Sequence, residues 1–241
     1  MLPKHGRIDC RVCFPEHVND VFEPNTEWRM VNDPGAWGGN DKPEYLILGF
    51  SKGFTQAGMC NNNKFEDIAF AGIRERLTQA LRAVGIMSDS EHVTENINNP
   101  SSKIAFGSLV RCSVSRIDSK KSEAGNGKVY SCTGPLITKS FEEIPEIISN
   151  CTRQYLIGLP ESIKAVIFLS NSDKYVCGVQ RIIENLYPKS FKRINPMCVE
   201  AEGKRWIHIA HASGLNGHFN TWLKTDLGPG LKRLQAIEGL N

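Results

Sequence analysis

Four short apolar runs, separated by helix-like segments and polar turns, constrain this chain more than any other feature. They are Tyr45 to Phe50, Ile104 to Val110, Ala165 to Leu169 and Trp206 to Ala210. Such runs, apolar at nearly every position, read as strands buried on both faces, the habit of a parallel sheet covered by helices. Between the first two, Ile73, Leu77, Ala80, Leu81 and Val84 recur at helical spacing, with Gly85 a natural C-cap. Ser140 with Glu143 matches a capping box, and Ile144, Ile147, Ile148, Cys151 and Tyr155 mark one face of the expected helix. Pro145 falls in its early turns, where proline disrupts least. Val176, Val179, Ile182, Ile183 and Leu186 mark a further helix, and a last one is expected from near Phe219, broken around Gly228-Pro229-Gly230. The alternation predicts an α/β fold: a three-layer α/β/α sandwich around a mostly parallel central sheet.

At 241 residues, without a Pro/Ser-rich or charged linker, the chain reads as a single domain spanning 1–241. Residues 113–140, rich in Ser, Lys and Gly, read as a polar insertion. The net charge of +3 neither demands nor excludes nucleic acid, because distribution matters more than total. No apolar run approaches a membrane span, and Met1-Leu2-Pro3-Lys4-His5 lacks a signal-peptide core. The expected location is therefore cytoplasmic or nucleoid-associated.

In such a compartment eight cysteines argue for metal ligands or buried thiols over disulfides. Cys10 and Cys13 form a Cys-x-x-Cys pair, Cys112 closes the run Leu109-Val110-Arg111-Cys112, and Cys151 lies in a helix-like segment. Four thiolates suit either zinc or an iron–sulfur cluster. Cys60, Cys132, Cys177 and Cys198 lack comparable spacing and read as core or surface thiols. In parallel sheets ligands gather beyond the carboxyl ends of the strands. Two loops are expected there, Gly49 to Gly53 and His211 to Leu215. Taken alone, the first reads as a turn and the second as a structural histidine.

Taken together in chain order, these elements resemble the uracil-DNA glycosylase superfamily, especially its iron–sulfur branches, families 4 and 5. The resemblance runs from Cys10 to Leu223. Cys10 and Cys13 are similar to the N-terminal cluster pair, and Gly49 to Gly53 to the first motif, Gly-x-x-Pro-Gly or Gly-x-x-Pro-Ala. Phe70, Gly72 and Arg74 are similar to a Phe-x-Gly-x-Arg element, and Leu109 to Cys112 to a strand ending in Val-Lys-Cys. Cys151 with Tyr155-Leu156 is similar to a Cys-x-x-Tyr-Leu helix, with one extra residue in the spacing. His211-Ala212-Ser213 stands for His-Pro-Ser, and Gly214-Leu215 for the Gly-Leu pair of the mismatch-specific relatives.

The resemblance implies a monomeric DNA glycosylase acting on single- or double-stranded DNA containing a damaged base. It would extrude a deaminated base, uracil first, and hydrolyse its N-glycosidic bond in base-excision repair. It implies a structural 4Fe–4S cluster on Cys10, Cys13, Cys112 and Cys151, with zinc the alternative. His211 would stabilise the leaving base, Phe70 would stack on it, and Leu215 would wedge the duplex. Ser213 would bind a backbone phosphate. Gly49, Phe50, Ser51 and Ser108 complete the expected base pocket.

The pattern departs where water activation needs a polar group. Phe50 and Ser51 stand at positions of Glu, Asp or Asn, Lys52 replaces proline, Ile73 occupies family 5's Asp position, Ser108 replaces a base-reading Asn, and Ala212 replaces proline. Glu66 or Asp67, with Asp67 the first choice, is the substitute carboxylate from the neighbouring loop, although both read equally as solvated residues answering a helix dipole. Arg111, Arg116, Lys120 and Lys121, or Lys189, Lys192 and Arg193, are the groups expected to track phosphates. The alternative function is a non-catalytic or divergent member binding DNA or a nucleobase.

Overall fold

The computed structural model describes residues 2–53, 56, 64–125 and 127–241. The four apolar runs form the centre of an eight-stranded mixed sheet, as β5 (Tyr45–Gly49), β6 (Ile104–Ser108), β9 (Ala165–Leu169) and β12 (Lys204–Ile209). Their spatial order is β6-β5-β9-β12, and each adjoining pair is parallel. Antiparallel strands extend both edges. β4 (Gly35–Gly38) and β1 (Gly6–Arg7) lie beyond β6, and β11 (Cys198–Ala201) and β10 (Lys192–Asn195) lie beyond β12.

The pleat sends successive side chains to opposite faces, and both faces are buried. Leu46, Leu48, Val166, Phe168 and Trp206 join one core, while Ile47, Ala165, Ile167, Leu169, Ile207 and Ile209 join the other. Full burial of each large apolar side chain contributes about 1.5–3 kcal/mol. The second core is shared with α2 (Arg74–Ala83), α3 (Val93–Ile97), α9 (Phe219–Lys224) and α10 (Pro229–Leu240). The first is shared with α7 (Pro145–Leu156) and α8 (Asp173–Leu186). The chain is thus a mixed α/β fold with apolar cores on both faces of its large sheet.

Two expectations change. The stretch 113–140 is largely ordered secondary structure. It contains β7 (Ser113–Ile117), α4 (Ser119–Ala124), β8 (Tyr130–Ser131) and α5 (Gly134–Ile137). With β2 (Val21–Asn25) and β3 (Trp28–Val31), strands β7 and β8 form a second, antiparallel sheet ordered β2-β3-β7-β8. Its polar residues are buried by distant partners. Arg116 reaches Glu143 at 2.7 Å and Glu27 at 3.1 Å, and the Trp28 indole also donates to Glu143.

The capping box does not form. Ser140 opens only a single turn, α6 (Ser140–Glu143), and its hydroxyl donates back to the Ile137 carbonyl at 2.6 Å. The helix bearing Cys151 starts at Pro145, where a missing N–H costs nothing. Cys60 and most of the Asn-rich stretch before Lys64 lie outside the described residues. Among the described residues no helix is long and apolar enough to cross a membrane.

Candidate functional site

The chain leaves β5 to build β6 on one side, then crosses to β9 and β12 on the other. That reversal makes the carboxyl ends of β5 and β9 a topological switch point, where such sheets usually hold a ligand in a crevice. Around it stand Gly49 and the loop to Gly53, Ser108, the turn after β9 at Ser170-Asn171, and His211 just past β12. Gly49 and Ser108 are register partners across β5 and β6.

His211 is the chemically best-defined group. Its Nδ1 accepts from the Ser213 backbone N–H at 3.0 Å. That bond fixes the tautomer of the neutral ring, leaving the proton on Nε2 as a donor. Burial, and after it the nearby Arg76 guanidinium, push the imidazole below its ordinary pKa, so the neutral form is favoured. The loop beyond is tied to itself: Ser213 Oγ accepts from the Leu215 N–H at 3.2 Å, and the Asn216 amide donates to the His211 carbonyl at 2.9 Å. Arg76 braces it from α2, donating to the Asn216 carbonyl at 3.2 Å and lying 4.2 Å from the Phe219 ring centre. Leu215, at the tip, is 86% exposed. Exposing a leucine so fully forfeits its burial energy, which suits a side chain that enters something else.

Phe70 is held in the left-handed region, with φ +52°. A bulky residue there is strained, and such strain collects at functional sites. Arg74 holds the turn by donating from Nε to the Ala69 carbonyl at 2.9 Å and from its Nη2 to the Glu66 carbonyl, bridging the end of α1 (Phe65–Ile68). The Phe70 ring lies over Gly49, where an added Cβ would meet its Cε1 at 3.6 Å, and it meets Phe106 edge-on.

Other expected site residues are placed differently. Phe50 turns into the core between Phe141 and Tyr175, so its ring is committed to packing. Ser108 is buried and its hydroxyl donates to the Val110 carbonyl at 2.8 Å. Ser51 is half-buried, with long contacts to the Lys52 and Val114 carbonyls. Asp67 is exposed, and its charge falls on Arg74. Lys52 points inward: its ammonium donates to Asp33 at 3.0 Å and to the Arg111 carbonyl at 2.7 Å.

The four cysteines of the sequence pattern share one neighbourhood. α7 carries Cys151, and its Asn150 donates to Cys13 Sγ at 3.6 Å while its Gln154 accepts from Cys10 Sγ at 3.8 Å. With its amide oriented to suit its neighbours, Asn32 donates to the Cys10 carbonyl at 3.0 Å, and that amide lies 3.9 Å from Cys112 Sγ. Burial chiefly pushes Cys112 up to about 12, with Lys52 opposing it and Cys151 reinforcing it. Burial likewise raises Cys151 to about 11, opposed by the Arg111 N–H and reinforced by charge on Cys13 and Cys10. Cys13 is raised by burial, against its bond from Asn150.

Among the described residues no three His, Cys, Asp or Glu side chains are grouped as ligands of a metal ion. Electrostatic influence links the sulfurs in sequence, Cys112 with Cys151, Cys151 with Cys13 and Cys10, and Cys13 with Cys10. Two of them already receive N–H donors: Cys13 from Asn150 and Cys151 from the Arg111 backbone. Donors of this kind support a thiolate bound to metal. Four thiols are the donor type that a soft metal takes, and a metal binding them would displace their protons.

Neither family models nor curated proteins yield a match to this chain.

The basic groups are sorted by position. Arg111 is 1% exposed and Arg116 8%, so neither is a surface contact. Lys120 and Lys121 are the exposed members of that set. Lys192 pairs with Glu200, which pairs with Arg205, which pairs with Ala165 at the start of β9. Lys192 and Arg193, with Lys189 just before them, therefore lie at the amino end of the parallel strands, away from the crevice. Sequence reasoning missed Arg76, which braces the His211 loop. Arg76 sits two residues beyond the Phe-x-Gly-x-Arg element.

Proposed function

We propose that this chain is an iron–sulfur DNA glycosylase of the uracil-DNA glycosylase type, built on that superfamily's α/β/α sandwich. It takes an extruded deaminated base, uracil first, into the crevice beyond β5 and β9 and hydrolyses its N-glycosidic bond. The observation that carries the reading is His211: a neutral imidazole, its tautomer locked by Ser213, presenting an Nε2 donor beside an exposed leucine.

The departing base accumulates negative charge on its O2, and a preorganised donor there lowers the barrier. A neutral ring donates without having to lose a proton of its own. Arg76 adds positive potential to the same place. The Phe70 ring forms the aromatic floor at the end of β5, Ser213 binds a flanking phosphate, and Leu215 fills the space the base has left. Cys10, Cys13, Cys112 and Cys151 would hold a 4Fe–4S cluster. When bound, it supplies a structural tie between the N-terminal segment, the β6–β7 connection and α7.

One observation favours a second reading, a divergent member that binds DNA or a nucleobase without turnover. Asp67, the expected water-activating carboxylate, is exposed and lies under the influence of Arg74.

Incubation with uracil-containing single- and double-stranded oligonucleotides, followed by alkaline cleavage, tests the reading. Scission at the uracil is expected. Intact strands at high protein excess, with hypoxanthine substrates intact as well, would overturn it. His211→Ala separates the two readings: an enzyme loses roughly 10²–10³ in rate while keeping strand affinity, whereas a binding module has no rate to lose.

A further inference from the structure

The residue that least suits its surroundings is Arg111. Its guanidinium is buried, and Nε, Nη1 and Nη2 all lack a hydrogen-bond acceptor among the described residues. Its ring neighbour is Tyr155, whose centroid is 5.2 Å away. The backbone has made room for it, because a Cβ at Gly107 would fall 1.7 Å from Nη1. The groups whose charge it senses are Cys151 and Tyr155, and no carboxylate is among them. The same residue donates its backbone N–H to Cys151 and offers its carbonyl to Lys52. An uncompensated buried cation is among the costliest features a fold can carry.

We propose that Arg111 is the buried counter-charge of an anionic metal–thiolate centre formed by Cys10, Cys13, Cys112 and Cys151. The inference rests on the metal-centre reading above but reaches beyond it. Four thiolates around zinc or an oxidised 4Fe–4S cube leave a dianion, and sulfur accepts N–H bonds from a fork of this kind. Arg111 and the centre are then each expensive alone and compatible together. That makes a prediction of opposite sign for the loaded and metal-free protein. Removing the guanidinium should weaken the loaded protein and relieve the metal-free one.

The test uses the full chain purified without air, as wild type, Arg111→Lys and Arg111→Met. Iron and zinc are quantified per chain, metal loss to a chelator is timed, and loaded and stripped forms are melted. Arg111→Met should lose metal at least tenfold faster than wild type, with Arg111→Lys between them. Stripped Arg111→Met should melt above stripped wild type. Equal retention, or destabilisation of both forms alike, would overturn the inference, the latter showing a packing role only. Should Arg111→Met fail to accumulate, Arg111→Gln, which removes the charge but keeps N–H donors, takes its place, and retention equal to wild type would overturn the inference too. Wild type holding zinc and no iron would refute the iron–sulfur reading and leave the Arg111 comparison to be scored on zinc. Wild type holding neither metal would refute both.

Discussion

Lys52→Met is the substitution whose effect the structure defines best. The Lys52 and Asp33 side chains are 4% and 5% exposed, and their charged atoms stand 3.0 Å apart. The ammonium also donates to the Arg111 carbonyl at 2.7 Å, and Asp33 accepts from the Ser113 N–H at 2.7 Å and from its hydroxyl at 2.6 Å. Methionine fills similar volume, so the loss is electrostatic. Removing one partner of a buried pair costs about 3–5 kcal/mol, because the remaining charge loses its compensation. Asp33→Asn should cost a similar amount by stranding the ammonium. In the double variant the neutral amide can still accept from Ser113 and no ammonium is left behind. Its penalty should fall below the sum of the singles by about 2 kcal/mol or more, a coupling typical of contacting charged residues. Urea unfolding of all four proteins at matched metal content measures this. A Lys52→Met cost below about 1 kcal/mol, or additive penalties, would refute the claim that this pair is a desolvated unit.

Leu215→Ala should leave folding stability within about 0.5 kcal/mol, since the side chain is almost fully exposed. It should slow excision from double-stranded substrate by about tenfold while sparing single strands, because only the duplex needs a wedge; equal slowing on both would contradict that role. His208 is buried, stacks on Phe168 at 5.1 Å and is pushed by burial down to about 4, against the opposing bond to the Ser170 carbonyl. The unfolded chain takes up this proton near pH 6.5 and the folded one only near 4, so stability falls as pH drops through that window. The loss should approach about 3 kcal/mol by pH 4, and His208→Phe should flatten that part of a pH series of urea midpoints. Neutralising Lys189, Lys192 and Arg193 together should leave the salt dependence of DNA binding unchanged. If any of the three did neutralise a phosphate, its removal would lower the slope by about 1.

The central strands were legible because burial on both faces leaves nearly every position apolar, as in Ala165 to Leu169. The edge hairpin of β10 and β11 was not: Lys192 and Arg193 face solvent, so no apolar rhythm announces it. Residues 113–140 misled for a different reason. Arg116, Ser113 and Ser131 are buried, and the first two are satisfied by Glu143, Glu27 and Asp33, partners that lie far away in sequence. Pattern reading assigns charges to the surface because burial of an unpaired charge is costly, and it has no view of non-local pairing. Arg111 did carry a signal: it stands inside the run Leu109-Val110-Arg111-Cys112, where its neighbours are all core residues. His211 and Leu215 were singled out only through the resemblance, because a histidine after a strand reads by itself as structural. Arg76 was not, because nothing local in sequence says that α2 abuts the loop after β12.

Lys52 also explains how the loop after β5 holds its shape in a form unlike the motif it resembles. Proline at that position would restrict the backbone directly, by fixing φ. Lysine restricts nothing by itself, and immobilising its side chain costs up to about 2 kcal/mol of rotamer entropy. Here the ammonium is anchored at two points, Asp33 and the Arg111 carbonyl, so the loop is held through its side chain. Both anchors adjoin the cysteines: Asp33 accepts from the N–H and hydroxyl of Ser113, next to Cys112, and Arg111 donates its N–H to Cys151. A proline would have left the crevice loop independent of that neighbourhood. The lysine makes the two share a hydrogen-bonded frame, so the loop is as firm as the packing around the sulfurs. The polar residue of this loop is thus spent inward on rigidity, and none of the described loop side chains supplies a carboxylate to the crevice. Under the proposed function, chemistry beyond β5 and β9 would then lean on stabilising the leaving base, the task proposed for His211.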